Sequence, residues 1–154
     1  MKKQLLNLLF LSSVGLLSAQ EYSKTDSNLE FIFHKNAETP QAKIGDLLSV
    51  NMIIKSESGY EIKNTYKEGK PTLFPVKYSQ HQADIYEAMK MLSKGDSATF
   101  RVSSDSLYQK IFRKPLPSQI ATGSKTLITV ICLAVNSQKE RLETLVKSNQ
   151  AELD

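Results

Sequence analysis

The chain has 154 residues, a formal net charge of +4, one cysteine and no tryptophan. Its Lys and Glu residues are interleaved and form no long basic run, which argues against a nucleic-acid-binding protein. A single cysteine excludes an internal disulfide framework. The length suits one ordinary domain with a core of its own.

Residues 1–19 have the three-part pattern of a secretory signal. Lys2 and Lys3 give a positive start, an apolar run of 13 residues extends from Leu5 to Leu17, and small residues end the segment at Ala19. A membrane-spanning helix needs roughly 20 apolar residues, so a start-anchored membrane helix is the less favoured alternative. No cysteine lies in the first 20 residues, and a lipid-modified N-terminus is therefore not predicted.

Removal of this signal would lower the net charge from +4 to +2, because residues 1–19 hold two basic residues and no acidic one. We expect an exported protein without a stable membrane span. A periplasmic location is favoured over secretion or association with the outer membrane.

The region after the signal is predicted to begin with a polar, flexible lead-in, residues 20–28. A first strand follows at residues 29–34, where apolar side chains recur at every second position and share one face. We group residues 20–44 as the N-terminal lead-in and first strand. They precede the main domain, which we place at residues 45–136.

The main domain is predicted to open with a hairpin. Gly45-Asp46 turns into a strong strand, Leu47–Lys55, and a tight connection at Ser56–Gly59 returns the chain through Tyr60–Asn64. The polar residues 65–71 are expected to form a loop. A short extended stretch, Leu73–Tyr78, follows this loop.

One internal helix is predicted near Asp84–Leu92. Apolar residues recur at i, i+3, i+4 and i+7 from Ile85 and form a single stripe. Gly95 is expected to end the helix, because glycine adopts the left-handed cap conformation at little cost.

The remaining segments are predicted as a strand, a long loop, a strand and a terminal helix. In chain order these are Ser97–Val102, Ser103–Ser124, Thr126–Val135 and residues 137–154. A loop as long as the second segment is usually functional or disordered. Ser137 and Glu140 form a capping box for the terminal helix, which has only a thin apolar stripe. The fold class is therefore α+β: an antiparallel sheet wrapped around one short helix, plus a C-terminal helix.

Several short motifs occur in an informative order. They are Gly45-Asp46 before a strand, the turn at Ser58-Gly59, Glu87-Ala88-Met89 on the helix, Lys94–Ala98, Asp105-x-x-Tyr108, and Leu116-Pro117 before the last strand. In this order they resemble the FKBP-type peptidyl-prolyl cis-trans isomerase domain, especially that of exported proteins of diderm bacteria. The resemblance implies a twisted antiparallel sheet around one helix, with the ligand held between helix and sheet under a long loop.

The resemblance also implies a set of site residues. The catalytic positions fall on Tyr108, Ile85 and Ile62, and the substrate-binding positions fall on Met52, Phe74, Lys63 and Thr129. Tyr108 would donate a hydrogen bond to a substrate carbonyl, and Ile85 would form the floor of the pocket. Lys63 stands where the family has a carboxylate, and Thr129 stands in place of an aromatic ring. We therefore expect an apolar but eroded pocket.

Rotation about an X-Pro bond needs no nucleophile, acid, base, metal or cofactor. The barrier for a peptide bond is roughly 18–20 kcal/mol, and an apolar pocket favours the less conjugated, twisted amide. We predict a peptidyl-prolyl cis-trans isomerase of full or reduced activity that acts on proline-containing exported polypeptides. The alternative is a catalytically inactive FKBP-fold chaperone or protein-binding module. The oligomeric state is left open.

Several single residues allow other interpretations. Tyr108 could equally be a loop anchor, and Asp105 is expected to serve its turn. His34 and His81 are isolated, so no zinc site is predicted. The serines near residue 105 lack a Gly-x-Ser-x-Gly motif, which argues against a hydrolase. Cys132 lies in an apolar run and is expected to be buried.

Overall fold

A computed structural model describes residues 21–151, which form one antiparallel sheet of seven strands with short helices. The predicted export signal lies outside the described residues. The strands are β1 Ser23–Lys24, β2 Glu30–Lys35, β3 Leu47–Ser56, β4 Glu61–Asn64, β5 Thr72–Pro75, β6 Ser97–Ser103 and β7 Lys125–Asn136. The helices are α1 Thr65–Glu68, α2 Ile85–Lys90, α3 Ser104–Ser106, a π-helix Leu107–Phe112 that continues α3, and α4 Gln138–Ala151. None of the helices within residues 21–151 is long and apolar enough to cross a membrane.

The long strands β3 and β7 form the centre of the sheet. The strand order is β1-β2-β6-β7-β3-β4, and β5 also pairs with β3. β3 pairs with β7 from Leu47 to Ser56, while its other edge is shared between β5 near one end and β4 near the other. All of these pairs are antiparallel, which confirms the predicted α+β fold.

Every second residue of the central strands faces the core. The buried side chains are Leu48, Val50, Met52 and Ile54 of β3, Ala98, Phe100 and Val102 of β6, and Ile128, Val130 and Cys132 of β7. Helix α2 adds Ile85, Ala88 and Met89 to the same cluster. Burial of one such large apolar side chain stabilises the fold by roughly 1.5–3 kcal/mol, so the sheet and α2 hold each other in place.

The N-terminal lead-in is part of the sheet, and the expectation that it is flexible is wrong. β1 pairs with β2, and the hydroxyls of Thr25 and Ser27 donate hydrogen bonds of 2.7 and 2.5 Å to the carboxylate of Glu87 on α2. The prediction of a flexible lead-in rested only on the polarity of this segment. It failed because these polar side chains bind a specific partner that lies 60 residues or more away in sequence.

Two segments that were predicted as loops contain helical turns. Asn64 caps α1, since its side chain accepts the backbone N–H groups of Tyr66 and Lys67. The segment after β6 continues through α3 into the π-helix. These elements are too short to show the periodicity on which a helix prediction rests.

Helix α2 ends earlier than predicted. Its C-cap is Met91, which has a right-handed helical conformation (φ −74°). Gly95 has a φ of +93° and lies in the turn before β6, where its N–H donates to the Cys132 carbonyl at 2.8 Å. The glycine therefore serves the turn rather than the helix cap.

Candidate functional site

The residues implied by the family resemblance lie at different depths. Met52 and Ile85 belong to the buried core, and Ile62 and Phe74 pack against that core from its edge. Tyr108 is also buried, with an exposed fraction of 7%. All five side chains are apolar or aromatic.

Ile85 is held at the start of α2 by the N-cap, Asp84. The Asp84 carboxylate accepts backbone N–H groups from Gln80, His81 and Glu87 at 2.7, 3.1 and 2.9 Å. A carboxylate at this position satisfies donors that the first helical turn leaves free. The cap thereby fixes the backbone that carries Ile85.

The space beside Ile85 is nearly filled. A void of about 10 Å³ remains between α2 and the π-helix, bordered by Ile85, Val102, Leu107 and Ile111. A water molecule needs roughly this volume, and pockets for small-molecule ligands typically measure about 300–1,000 Å³. A proline ring does not fit in this void, and Met52, Ile62, Phe74 and Tyr108 do not border it.

Tyr108 lies in the π-helix, with its ring edge-on to Phe112 at a centroid distance of 5.3 Å. Burial raises the pKa of the Tyr108 hydroxyl above its usual value of 10, and nearby Tyr60 adds to the shift. Within residues 21–151 this hydroxyl has no hydrogen-bond partner, and it is not fully enclosed. The hydroxyl therefore stays protonated at neutral pH and is free to donate a hydrogen bond.

Lys63 lies on the rim formed by β4 and α1. Its ammonium group donates to both carboxylate oxygens of Glu68 at 3.0 and 2.9 Å. A second ion pair joins Lys67 to Glu61 at 2.7 Å. A shallow groove of about 230 Å³ runs beside Ile62 between these pairs. The two cations of this rim are therefore balanced by neighbouring carboxylates.

Phe74 packs against helix α2. Its ring lies 5.7 Å from the ring of Tyr86, and β5 holds it opposite Leu48 of β3. Tyr86 and Phe112 were not predicted as neighbours of the site. Tyr86 directly follows Ile85 in sequence and so lies off the apolar stripe, and the turn that carries Phe112 shows no periodicity.

The placement of Thr129 in this pocket is wrong. Thr129 pairs with Ile53 of β3 and Thr99 of β6, and it is exposed on the outer face of the sheet. Met52 pairs instead with Val130, which is fully buried. Because successive residues of a strand point to opposite faces, an error of one position transfers a side chain to the other face. Val130 is the β7 residue that faces the core beside Met52.

Two other kinds of chemistry find no support in residues 21–151. No group of three or more His, Cys, Asp or Glu side chains is placed there to hold a metal ion. Burial raises the pKa of the Cys132 thiol to about 11, so this buried side chain is a thiol rather than a nucleophilic thiolate at neutral pH.

Comparisons with known proteins agree with this architecture. Among the solved structures that share the fold are three with TM-scores of 0.55 to 0.61. FkpA from Escherichia coli has a TM-score of 0.61 and 18% identity, over 79% of this chain and 54% of that chain. AtFKBP13 has a TM-score of 0.55 and 21% identity, over 74% of this chain and 98% of that chain. A peptidyl-prolyl cis-trans isomerase from Pseudomonas syringae pv. tomato has a TM-score of 0.60 and 10% identity, over 78% of this chain and 84% of that chain.

This chain therefore spans about half the length of FkpA. No curated protein sequence matches it. A family model described as FKBP-type peptidyl-prolyl cis-trans isomerase matches residues 38–134. This match covers more than half of the chain, and the protein thus belongs to the FKBP-type peptidyl-prolyl cis-trans isomerase family.

Proposed function

We propose that the protein is a peptidyl-prolyl cis-trans isomerase of low catalytic efficiency that acts on proline-containing exported polypeptides. The observation that carries this proposal is the Tyr108 hydroxyl, which is protonated, free of partners within the described residues and placed at the edge of an apolar core. Such a donor suits the carbonyl of a bound peptide. Family membership supports the same activity.

Prolyl isomerisation requires only a small contribution from the side chains of the site. An apolar site favours the twisted amide, and each tenfold acceleration needs only about 1.4 kcal/mol of preferential binding to the transition state. The proposed low efficiency rests on the close packing between α2 and the π-helix, where a void of only about 10 Å³ borders Ile85. A proline ring bound against Ile85 on this side would displace Leu107 or Ile111, and this rearrangement would lower the apparent affinity.

The export of the protein is part of the proposal. Residues 1–19 have the order of a secretory signal, and periplasmic delivery is the favoured outcome. A folding catalyst of this kind needs no ATP. We expect the periplasmic fraction of a diderm host to contain the chain beginning at Gln20, as judged by intact mass. Recovery of the full-length chain in the cytoplasm alone would contradict the proposal.

The activity is tested with the mature chain, residues 20–154, on proline tetrapeptides that differ in the residue before proline. We expect faster cis-trans exchange than in the uncatalysed reaction. Tyr108→Phe removes the donor and should lower kcat/KM by about 5–50-fold, within the range for one hydrogen bond to a reacting group. The matched control Tyr78→Phe, on an exposed side chain, should leave kcat/KM unchanged. Wild-type rates equal to the uncatalysed rate with every peptide would refute the proposal.

A second function is favoured by the closed space beside Ile85, which suits a protein that binds chains without isomerising them. In that case the protein acts as a chaperone or protein-binding module on the same fold. We would then expect stoichiometric protein to suppress aggregation of an unfolded client with no change in prolyl exchange. Catalysis together with no protection would exclude this alternative.

A further inference from the structure

The segment that carries Tyr108 has a marked charge bias. Between Asp105 and Glu140 the sequence contains no acidic residue, yet it includes Lys110, Arg113 and Lys114 within five positions. All three side chains are exposed. Within residues 21–151, none of the three forms an ion pair. We call Lys110, Arg113 and Lys114 the basic rim.

The backbone places the basic rim next to Tyr108. Arg113 has a left-handed conformation (φ +53°) that folds the chain back at the end of the π-helix. As a result the carbonyl oxygen of Tyr108 accepts the N–H of Arg113 and also that of Lys114, the latter at 3.0 Å. The backbones of Arg113 and Lys114 are therefore hydrogen-bonded to the backbone of Tyr108, the residue that carries the free hydroxyl.

Within residues 21–151, no ion pair balances the basic rim. On the rim formed by β4 and α1, Lys63 and Lys67 are paired with Glu68 and Glu61. The acidic residue nearest to the basic rim in sequence is Asp105, whose carboxylate accepts the N–H of Gly123 at 2.7 Å. The rim formed by β4 and α1 is thus balanced by ion pairs, whereas the basic rim is not.

We propose that the basic rim selects polypeptide segments in which an acidic residue flanks the proline. This inference rests on the proposed function and specifies its substrate class. A carboxylate beside the bound proline is attracted by flexible ammonium groups and by a guanidinium that can hold it through two hydrogen bonds. The attraction acts across a solvated surface, so salt weakens it.

The test uses peptides that are identical except for one residue, Glu, Gln or Lys, two positions before or after the proline. At low ionic strength we expect kcat/KM to be about ten times higher with Glu than with Lys, and Gln to lie between them. At 0.5 M NaCl the ratio should fall toward one. Equal kcat/KM values for the Glu and Lys peptides at low salt would overturn the proposal.

A charge-reversed variant assigns the preference to the basic rim. Lys110→Glu/Lys114→Glu should remove or invert the preference for the Glu peptide. The control Lys139→Glu/Lys147→Glu makes the same change in net charge on α4, which follows the C-terminal end of β7, whereas the π-helix precedes the N-terminal end of that strand. The control should keep the preference. The same loss in both variants would show a general charge effect and would overturn the assignment.

The outcome stays informative if no peptide is isomerised. In that case the proposed activity fails, and the basic rim is tested by peptide binding, followed through amide chemical shifts of the protein. Tighter binding of the Glu peptide, with shifts at residues 107–114, would support the inference. Equal binding of the Glu and Lys peptides, or no binding, would overturn it.

Discussion

Glu57 connects the turn between β3 and β4 to the start of β7. Its carboxylate accepts the N–H of Lys125 at 3.0 Å and pairs with the guanidinium of Arg101. The Lys125 hydrogen bond, followed by that of Arg101, holds the pKa of Glu57 below its ordinary value of 4.5. The folded state therefore binds this proton less tightly than the unfolded chain does.

The direction of this pKa shift predicts a pH dependence of stability. The contribution of Glu57 is fully present above about pH 4.5 and is lost as the pH falls through the lower folded pKa. We expect Glu57→Gln to be less stable than the wild type at pH 6, by less than about 1 kcal/mol because the pair is partly exposed. The gap should close near pH 3, as measured by urea unfolding.

The control is Glu38→Gln, on an exposed side chain that makes no ion pair within residues 21–151. Its unfolding free energy should follow the wild type at both pH values. If the free energy of unfolding of Glu57→Gln differs from that of the wild type by the same amount at pH 3 and pH 6, the charge of the carboxylate contributes nothing to stability.

At the scale of elements, the strands could be predicted from the alternation of apolar and polar residues. The residues of β7 that face the core could not be predicted in this way. In β3 the sequence Leu47–Lys55 was recognised as a strand, and the structure confirms it. In β7 the run from Leu127 to Leu133 is apolar at both odd and even positions, apart from Thr129. Polarity therefore does not identify its inner face, which is set by pairing with β3.

The inner face of β7 can be checked with two isosteric changes in opposite directions. Val130→Thr places a hydroxyl in the core and should lower the free energy of unfolding by roughly 2 kcal/mol. Thr129→Val changes an exposed side chain and should alter it by less than about 0.5 kcal/mol. Both values come from urea unfolding at pH 7. The reverse order of the two effects would contradict the pairing of Met52 with Val130.

At the scale of the whole molecule, the family resemblance correctly indicated the fold. How much space remains in the pocket depends instead on long-range packing. The apolar positions at Met52 and Ile85 were recognisable from their places in a strand and a helix. The void beside Ile85 is bordered by Leu107 and Ile111, in a segment without periodicity. No local pattern encodes how closely two distant segments approach.

Helix α4 shows how loosely one element is attached to the rest. It is held at its first turns, where the N–H of Gln138 donates to Asp46 at 3.2 Å and the guanidinium of Arg141 donates to the Gly45 carbonyl at 2.7 Å. Its apolar side chains Leu142 and Leu145 are 54% and 58% exposed. The attachment is therefore polar and local, and the apolar stripe adds little burial.

This arrangement predicts opposite results for the apolar stripe and the attachment point. Leu142→Gln/Leu145→Gln should change the free energy of unfolding by less than about 0.5 kcal/mol, because it removes almost no buried surface. Gly45→Ala should lower it by roughly 1–2 kcal/mol, since Gly45 has a φ of +94°, which strains any residue with a Cβ, and the end of the Gln138 side chain would also have to shift. A loss above about 1 kcal/mol in the double variant, measured by urea unfolding, would show that the stripe is covered in solution.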